Sequence, residues 1–364
     1  MIDKEAPVRR SLVLVLSLVF AGGALAPVPA QQLTKVRVGA CARTTTTGLG
    51  APFAAATKMG YFKQEGIEVE LVNLPGSTDC VKQVATREID FTLPSVEPLA
   101  ILKPQGVKAR VFYTAYQNNT YGLAVPDDSP IREIKDLKGK IIGVTNMSSA
   151  GVIIARAQAA GHGLNPDRDI SIVVAGEGAQ PAAMLRGKQV DALSQFDTQY
   201  ALVENAGIKM RRLDNSDIAK FPANGFIALE ETLKSKRKDA VALGRGYAKG
   251  TIFALTNPEA AVRIVYEIYP HTRPTGKDEA TAVREDVKVL LARLEAFKID
   301  KAGLKRWGEN SEANYVAYAD FMLKWAIIKE KVDGRDLITN ELIDEINRFD
   351  PAPVVADAKA YRPK

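Results

Sequence analysis

Val84 to Ser95, VATREIDFTLPS, and Met184 to Gln195, MLRGKQVDALSQ, carry the same order of signals. Each runs from a helix end through a turn to an apolar residue, then Asp90 or Asp191, then a short strand. Any helix-to-strand junction shares part of this grammar, but here the surroundings repeat as well. Ahead of the first copy, Lys35–Gly39 alternates polar and apolar residues as a strand does, and the small-residue helix APFAAATKM stops at Gly60. A second alternating run begins at Ile67, Gly76-Ser77-Thr78-Asp79 makes a turn and helix cap, Ile89–Leu93 is a third strand, and a helix starts after Pro94-Ser95. Around the second copy come strand Lys140–Val144, a helix capped by Ser148-Ser149 and ending near Gly161, and strand Ile170–Val174. Turn Gly176–Gly178, helix Pro181–Arg186 and strand Val190–Leu193 complete it. Strands alternating with helices argue for α/β architecture with parallel strands. The reading is two similar α/β lobes of about 90–100 residues each.

Between them, Ala109–Tyr116 and Tyr121–Val125 are strand-like runs separated by Gln117-Asn118-Asn119-Thr120, and Asn224–Leu229 reads as a second crossing. Two extended crossings make a hinge in which a few residues absorb closure. Beyond Glu231 the pattern is helical: Ala240–Leu255, Pro258–Tyr269, Glu279–Phe297 and Asn310–Lys329. Trp307, Tyr315, Tyr318, Phe321 and Trp325 recur at helical spacing and read as packing.

The N-terminus reads as an export signal. Arg9-Arg10 precedes the uncharged run Ser11–Ala24, too short for a span of about 20 residues, and Val28-Pro29-Ala30 supplies small residues for cleavage after Ala30. The flank loosely fits a twin-arginine signal, while the strongly apolar core favours the general secretory route. The formal charge of the 364-residue chain is +6, and about +5 without that segment. So small a surplus excludes a nucleic-acid protein built on charge. Two histidines (His162, His271) and two cysteines (Cys41, Cys80) exclude a metal cluster of those ligand types. After export Cys41 and Cys80 either pair, closing a loop of about 39 residues worth roughly 4 kcal/mol, or stay as two buried thiols.

Ligands of doubly wound sheets bind beyond the carboxyl ends of the strands. That rule collects Arg43 and Thr44, Ser77 and Thr78, Ser95 and Glu97 from the first lobe. Ser148, Ser149, Glu177 and Asp197 come from the second, and Asn118 and Asn224 from the crossings. Ser77-Thr78 and Ser148-Ser149 put hydroxyls and free N–H groups at helix N-termini, which suit an anion or simple capping. Arg43 is the cation suited to a carboxylate or sulfonate. Glu97, Glu177 and Asp197 suit an amine, so the charge of the ligand stays open.

Enzyme signals are poor. Gly176-Glu177-Gly178 follows a strand, but Pro181 breaks the dinucleotide fingerprint, and Walker, G-x-S-x-G and HExxH patterns do not occur. His162 reads as a contact to a helix C-terminus, and Lys234–Lys238 as a solvated helix face.

Lys58–Val69, KMGYFKQEGIEV, resembles the opening signature of periplasmic solute-binding proteins of ABC importers, in the nitrate/sulfonate/taurine branch that includes thiamine-pyrimidine binders. Gly122–Pro126 (GLAVP), Asp136–Val144 (DLKGKIIGV) and Asp336–Leu342 (DLITNEL) resemble the same group. The matches extend from about Leu33 to Phe349. They imply a two-lobed periplasmic-binding-protein-like fold of type II, with Rossmann-like lobes, a two-crossing hinge and C-terminal helices largely on the first lobe. Expected boundaries are 1–30 for the signal peptide, 31–118 and 223–364 for the first lobe with its helices, and 119–222 for the second lobe. The expected function is capture of a small organic solute, such as a sulfonate or carboxylate, by a periplasmic monomer without a cofactor. The partners implied are an inner-membrane ABC permease and its ATPase, with no nucleic acid. A pyrimidine binder, an enzyme on this scaffold and a non-transport sensor or chaperone subunit are the alternatives. The enzyme would need reactive His and Cys near iron, or a pyridoxal lysine.

Overall fold

The computed structural model describes residues 1–3 and 32–362. The signal segment read from the sequence lies outside the described residues, apart from Met1–Asp3. Ten strands are described: β1 (Thr34–Ala40), β2 (Ile67–Asn73), β3 (Phe91–Thr92), β4 (Ala109–Thr114), β5 (Tyr121–Pro126), β6 (Lys140–Val144), β7 (Ile170–Val174), β8 (Ala192–Phe196), β9 (Met210–Arg212) and β10 (Gly225–Leu229). They form two five-stranded sheets, ordered β2-β1-β3-β10-β4 and β7-β6-β8-β5-β9. The two orders are the same pattern, with β1, β2 and β3 matched by β6, β7 and β8.

Both sheets are mixed, which corrects the expectation of parallel strands. β1 is parallel to β2 and β3, and β6 to β7 and β8, but β10 runs antiparallel to β3 and β4, and β5 to β8 and β9. The reason is where the chain crosses. A strand arriving from the other lobe enters at the end where the parallel strands finish, so it runs the opposite way. Asn224–Leu229 is for the same reason an interior strand of the first sheet rather than the crossing itself. The return path precedes it, and pairs with the outward path where Ala115 and Tyr116 donate to the Asn224 carbonyl and Ala223 to that of Tyr116.

The internal repeat has a backbone signature. Arg87 and Lys188, each three residues before its aspartate, both sit at positive φ, 62° and 52°. Non-glycine residues seldom adopt that region, and its use at matching places marks one turn built twice.

The first lobe packs the alanine-rich helix Thr47–Lys58 and the long helix Arg237–Thr256 on its sheet. Their shared core is aromatic: the Tyr247 ring lies 4.9 Å from Phe53 and 5.0 Å from Phe226. Tyr315 and Tyr318 are buried as the spacing predicts, and Tyr318 stacks on Phe221 of the return path at 4.5 Å. Their helix is shorter than expected, Glu312–Lys324. Ser311 caps it, while Asn310 turns away and its side-chain amide donates to the Val111 and Thr339 carbonyls.

Candidate functional site

The lobes meet directly. Across them the Thr44 hydroxyl donates to Glu177 over 2.8 Å. Asn146 donates to the Pro75 carbonyl at 2.7 Å and the Thr78 N–H to the Ser148 carbonyl at 3.4 Å. Two glycines permit this approach. A Cβ on Gly76 would stand 2.6 Å from the Ser148 carbonyl oxygen, and one on Gly48 would stand 2.4 Å from Thr198 Cγ2.

Between the lobes a cavity of about 30 Å³ remains, room for one or two waters. Tyr116, Tyr121 and Phe196 give it aromatic walls. Thr46, Thr198 and Asn224 supply polar groups, and Cys41 and Ala42 close the first-lobe side. Cys41 is held by a disulfide to Cys80, with Cα atoms 5.9 Å apart. The bridge ties the lining loop to the helix Ser77–Ala85.

The charge in this cleft comes from Arg293, 4% exposed and the one fully buried basic side chain among the described residues. It projects from the helix Glu279–Phe297, and its guanidinium lies 4.2 Å from the Tyr116 ring centroid and 5.9 Å from that of Phe196. Asp197 faces it from the second lobe. The Arg293 Nε donates to both carboxylate oxygens, at 3.0 and 2.8 Å, and one Nη donates as well. Burial pulls the arginine's pKa down, but the Asp197 carboxylate more than offsets this and holds it above the ordinary value. Asp197 is itself fixed at the first turn of the helix Asp197–Asn205. It accepts from the Thr198 N–H at 2.7 Å, and its own N–H donates to the Thr120 carbonyl at 3.0 Å.

The two helix ends proposed from sequence come together, joined by the Thr78 N–H to Ser148 carbonyl bond. Ser149 caps its helix by accepting from the Gly151 N–H at 3.1 Å. The other helix begins at Ser77 with Gly76 as its cap, which corrects the reading of a hydroxyl cap there. Ser77 instead accepts from the Ser95 N–H at 3.1 Å. Nearby, Glu97 is 1% exposed. Tyr318 donates to its Oε1, whereas among the described residues its Oε2 and the Ser95 hydroxyl have no partner. Burial pushes the Glu97 carboxyl up from the usual range.

Of the residues expected at the ligand, Asn224 lines the cavity, and Asp197 stands behind Arg293. Thr44 bonds Glu177 and Thr78 meets Ser148 across the lobes, outside the cavity lining. Arg43 is exposed and takes no part in the cavity, because its loop turns Ala42 inward and the arginine outward. Asn118 faces a separate groove, shared with Asp197, Arg212 and Lys301. Tyr116, Tyr121, Phe196 and Arg293 were missed. For Arg293 a signal existed: it interrupts the apolar face Val289, Leu290, Leu294, Phe297 at helical spacing. His162 caps the helix Ala150–Gly161 and its Nδ1 contacts the Gln158 carbonyl at 2.8 Å, as expected.

A family model described as "NMT1/THI5 like" matches residues 50–261. The riboflavin-binding protein RibY of Chloroflexus aurantiacus is 22% identical over 297 residues, covering 80% of this chain and 82% of that protein. The 4-amino-5-hydroxymethyl-2-methylpyrimidine phosphate synthase of Schizosaccharomyces pombe is 23% identical over 218 residues, covering 57% of this chain and 62% of the enzyme. Among solved structures, the alkanesulfonate-binding protein SsuA of Xanthomonas axonopodis pv. citri, bound to MOPS, superposes with a TM-score of 0.62 at 15% identity. It covers 85% of this chain and 99% of that one.

Proposed function

The chain belongs to the NMT1/THI5-like family and has the two-lobed fold of periplasmic binding proteins; on that premise we propose that it is an exported receptor that captures a small organic solute between its lobes and hands it to an ABC permease. The observation that carries this reading is the cleft lined by Tyr116, Tyr121, Phe196 and Arg293 at the meeting of two lobes joined by paired crossings, closed here to about 30 Å³, so that a solute enters with the lobes further apart. Closure desolvates a ligand there, and its preference for the closed state drives the change.

The sulfonate or carboxylate expected from sequence rested on Arg43, which is exposed, and on the helix ends at Ser77-Thr78 and Ser148-Ser149, which do not line the cavity. The rings of Tyr121 and Phe196, with the hydroxyl and amide groups of Thr46, Thr198 and Asn224 around them, suit a flat, hydrogen-bonding ring compound better, since aromatic faces stack on planar ligands. The riboflavin-binding relative and the pyrimidine-phosphate synthase support that choice. Binding rather than catalysis is the reading for this chain. Cys41 and Cys80 are joined in a disulfide, His162 caps a helix, and His271 lies in the exposed turn Pro270–Thr272. The periplasm, a monomeric state, the absence of a cofactor and of nucleic acid, and the lobe boundaries near residues 118 and 222 belong to the same proposal.

The test is thermal unfolding of the exported protein with a panel of flavins, pyrimidines, aromatic carboxylates, alkanesulfonates and nitrate. A cognate solute at a hundredfold excess over its Kd stabilises by about 2.7 kcal/mol. Silence across the panel contradicts solute capture.

A further inference from the structure

We propose that Asp197 sets the charge class of the solute: on closure it occupies the fork of Arg293, so the site closes productively only on a molecule that is uncharged where it meets this pair. The inference rests on the reading of the cleft as a solute site, and it concerns which solutes that site rejects.

An oxyanion binds arginine best through two parallel N–H donors on one edge. Arg293 has two such edges, and the side-on one, formed by Nε and a terminal nitrogen, is filled by Asp197, with Nε 2.8–3.0 Å from the two carboxylate oxygens. The Tyr116 ring covers a face of the guanidinium at 4.2 Å. Asp197 cannot readily swing aside, because the Thr198 N–H and the Thr120 carbonyl fix it at the head of its helix. It is also part of the same chain, and a tethered group competes at an effective concentration in the millimolar range or above. A dilute free anion therefore loses this edge when the lobes are shut.

With the lobes apart, Arg293 on the first lobe and Asp197 on the second separate, and an anion can reach the arginine. An anion held on that edge stands where the Asp197 carboxylate must go on closure, in a buried setting where like charges repel strongly. A neutral ligand lets the pair re-form. Asp197 thus acts by repulsion as well as by occupancy.

The experiment titrates wild type, Asp197→Ala and Asp197→Asn with methanesulfonate, benzoate, nitrate, an uncharged pyrimidine and riboflavin, by calorimetry and thermal unfolding. The Asn variant keeps the shape and removes the charge, so the test survives if the Ala variant folds poorly. Wild type should bind the anions weakly, and both variants should bind at least one of them about tenfold or more tighter, a difference of about 1.4 kcal/mol. The gain should vanish when Arg293→Gln is added. Anions binding wild type as tightly as the variants would overturn the proposal and leave solute capture standing. A wild type silent to every compound, with variants that still gain anions, would sink the proposed solute class and uphold the role of Asp197.

Discussion

Asp286 shows how a buried charge in this chain responds to pH. It lies on the same helix as Arg293, is 5% exposed, and accepts from the Tyr266 hydroxyl at 2.7 Å. Burial raises its carboxyl to about 6, against an ordinary value of 3.8. A carboxyl whose folded pKa is raised holds its proton longer in the folded state. Its contribution to stability is therefore full below about pH 4 and is lost as pH rises towards 6. Asp286→Asn keeps an acceptor for Tyr266 without the charge. It should make the variant more stable than wild type at pH 7.5 by on the order of 1–2 kcal/mol, with no advantage at pH 4. Chemical denaturation at the two pH values checks this, and a variant weaker at both would refute it. The same helix explains what the sequence hid. Arg293 and Asp286 sit on its inward face, but a charged residue among other charges on a long helix reads as surface. Arg43 erred in the opposite sense, since a small-residue loop does not reveal which of its side chains turns inward.

At the scale of elements, periodicity was a sound guide wherever a strand was long enough to alternate. β6 and β7 occupy the expected residues, and the Glu279–Phe297 helix matches end to end. β9, three residues long, offered no pattern, and β3 shrank to two residues. Strand direction was not legible, because it depends on which end of a sheet the chain enters. The element that most affects the site is the loop carrying Cys41, Ala42 and Thr46, which the disulfide anchors to the helix Ser77–Ala85. Replacing both cysteines by alanine should cost about 2–4 kcal/mol, measured by denaturant unfolding. It should also weaken solute binding, because the lining loop loses its tether. Unchanged stability would show that the bridge does not restrain the unfolded chain.

For the whole molecule, the closed arrangement depends on backbones that touch across the cleft. Gly76 is in extended backbone that any residue can adopt, so its conformation does not call for glycine. What calls for it is the Ser148 carbonyl, 2.6 Å from where a Cβ would stand. Gly76→Val should leave each lobe folded while holding the lobes apart. Trapping of a small solute between the lobes is open to native mass spectrometry of the purified protein with the ligand panel. Wild type should form a complex of one solute per chain with at least one ring compound, and Gly76→Val a complex about tenfold weaker or more. A wild-type chain that stays bare with every compound, or a complex indifferent to Gly76→Val, would contradict such trapping.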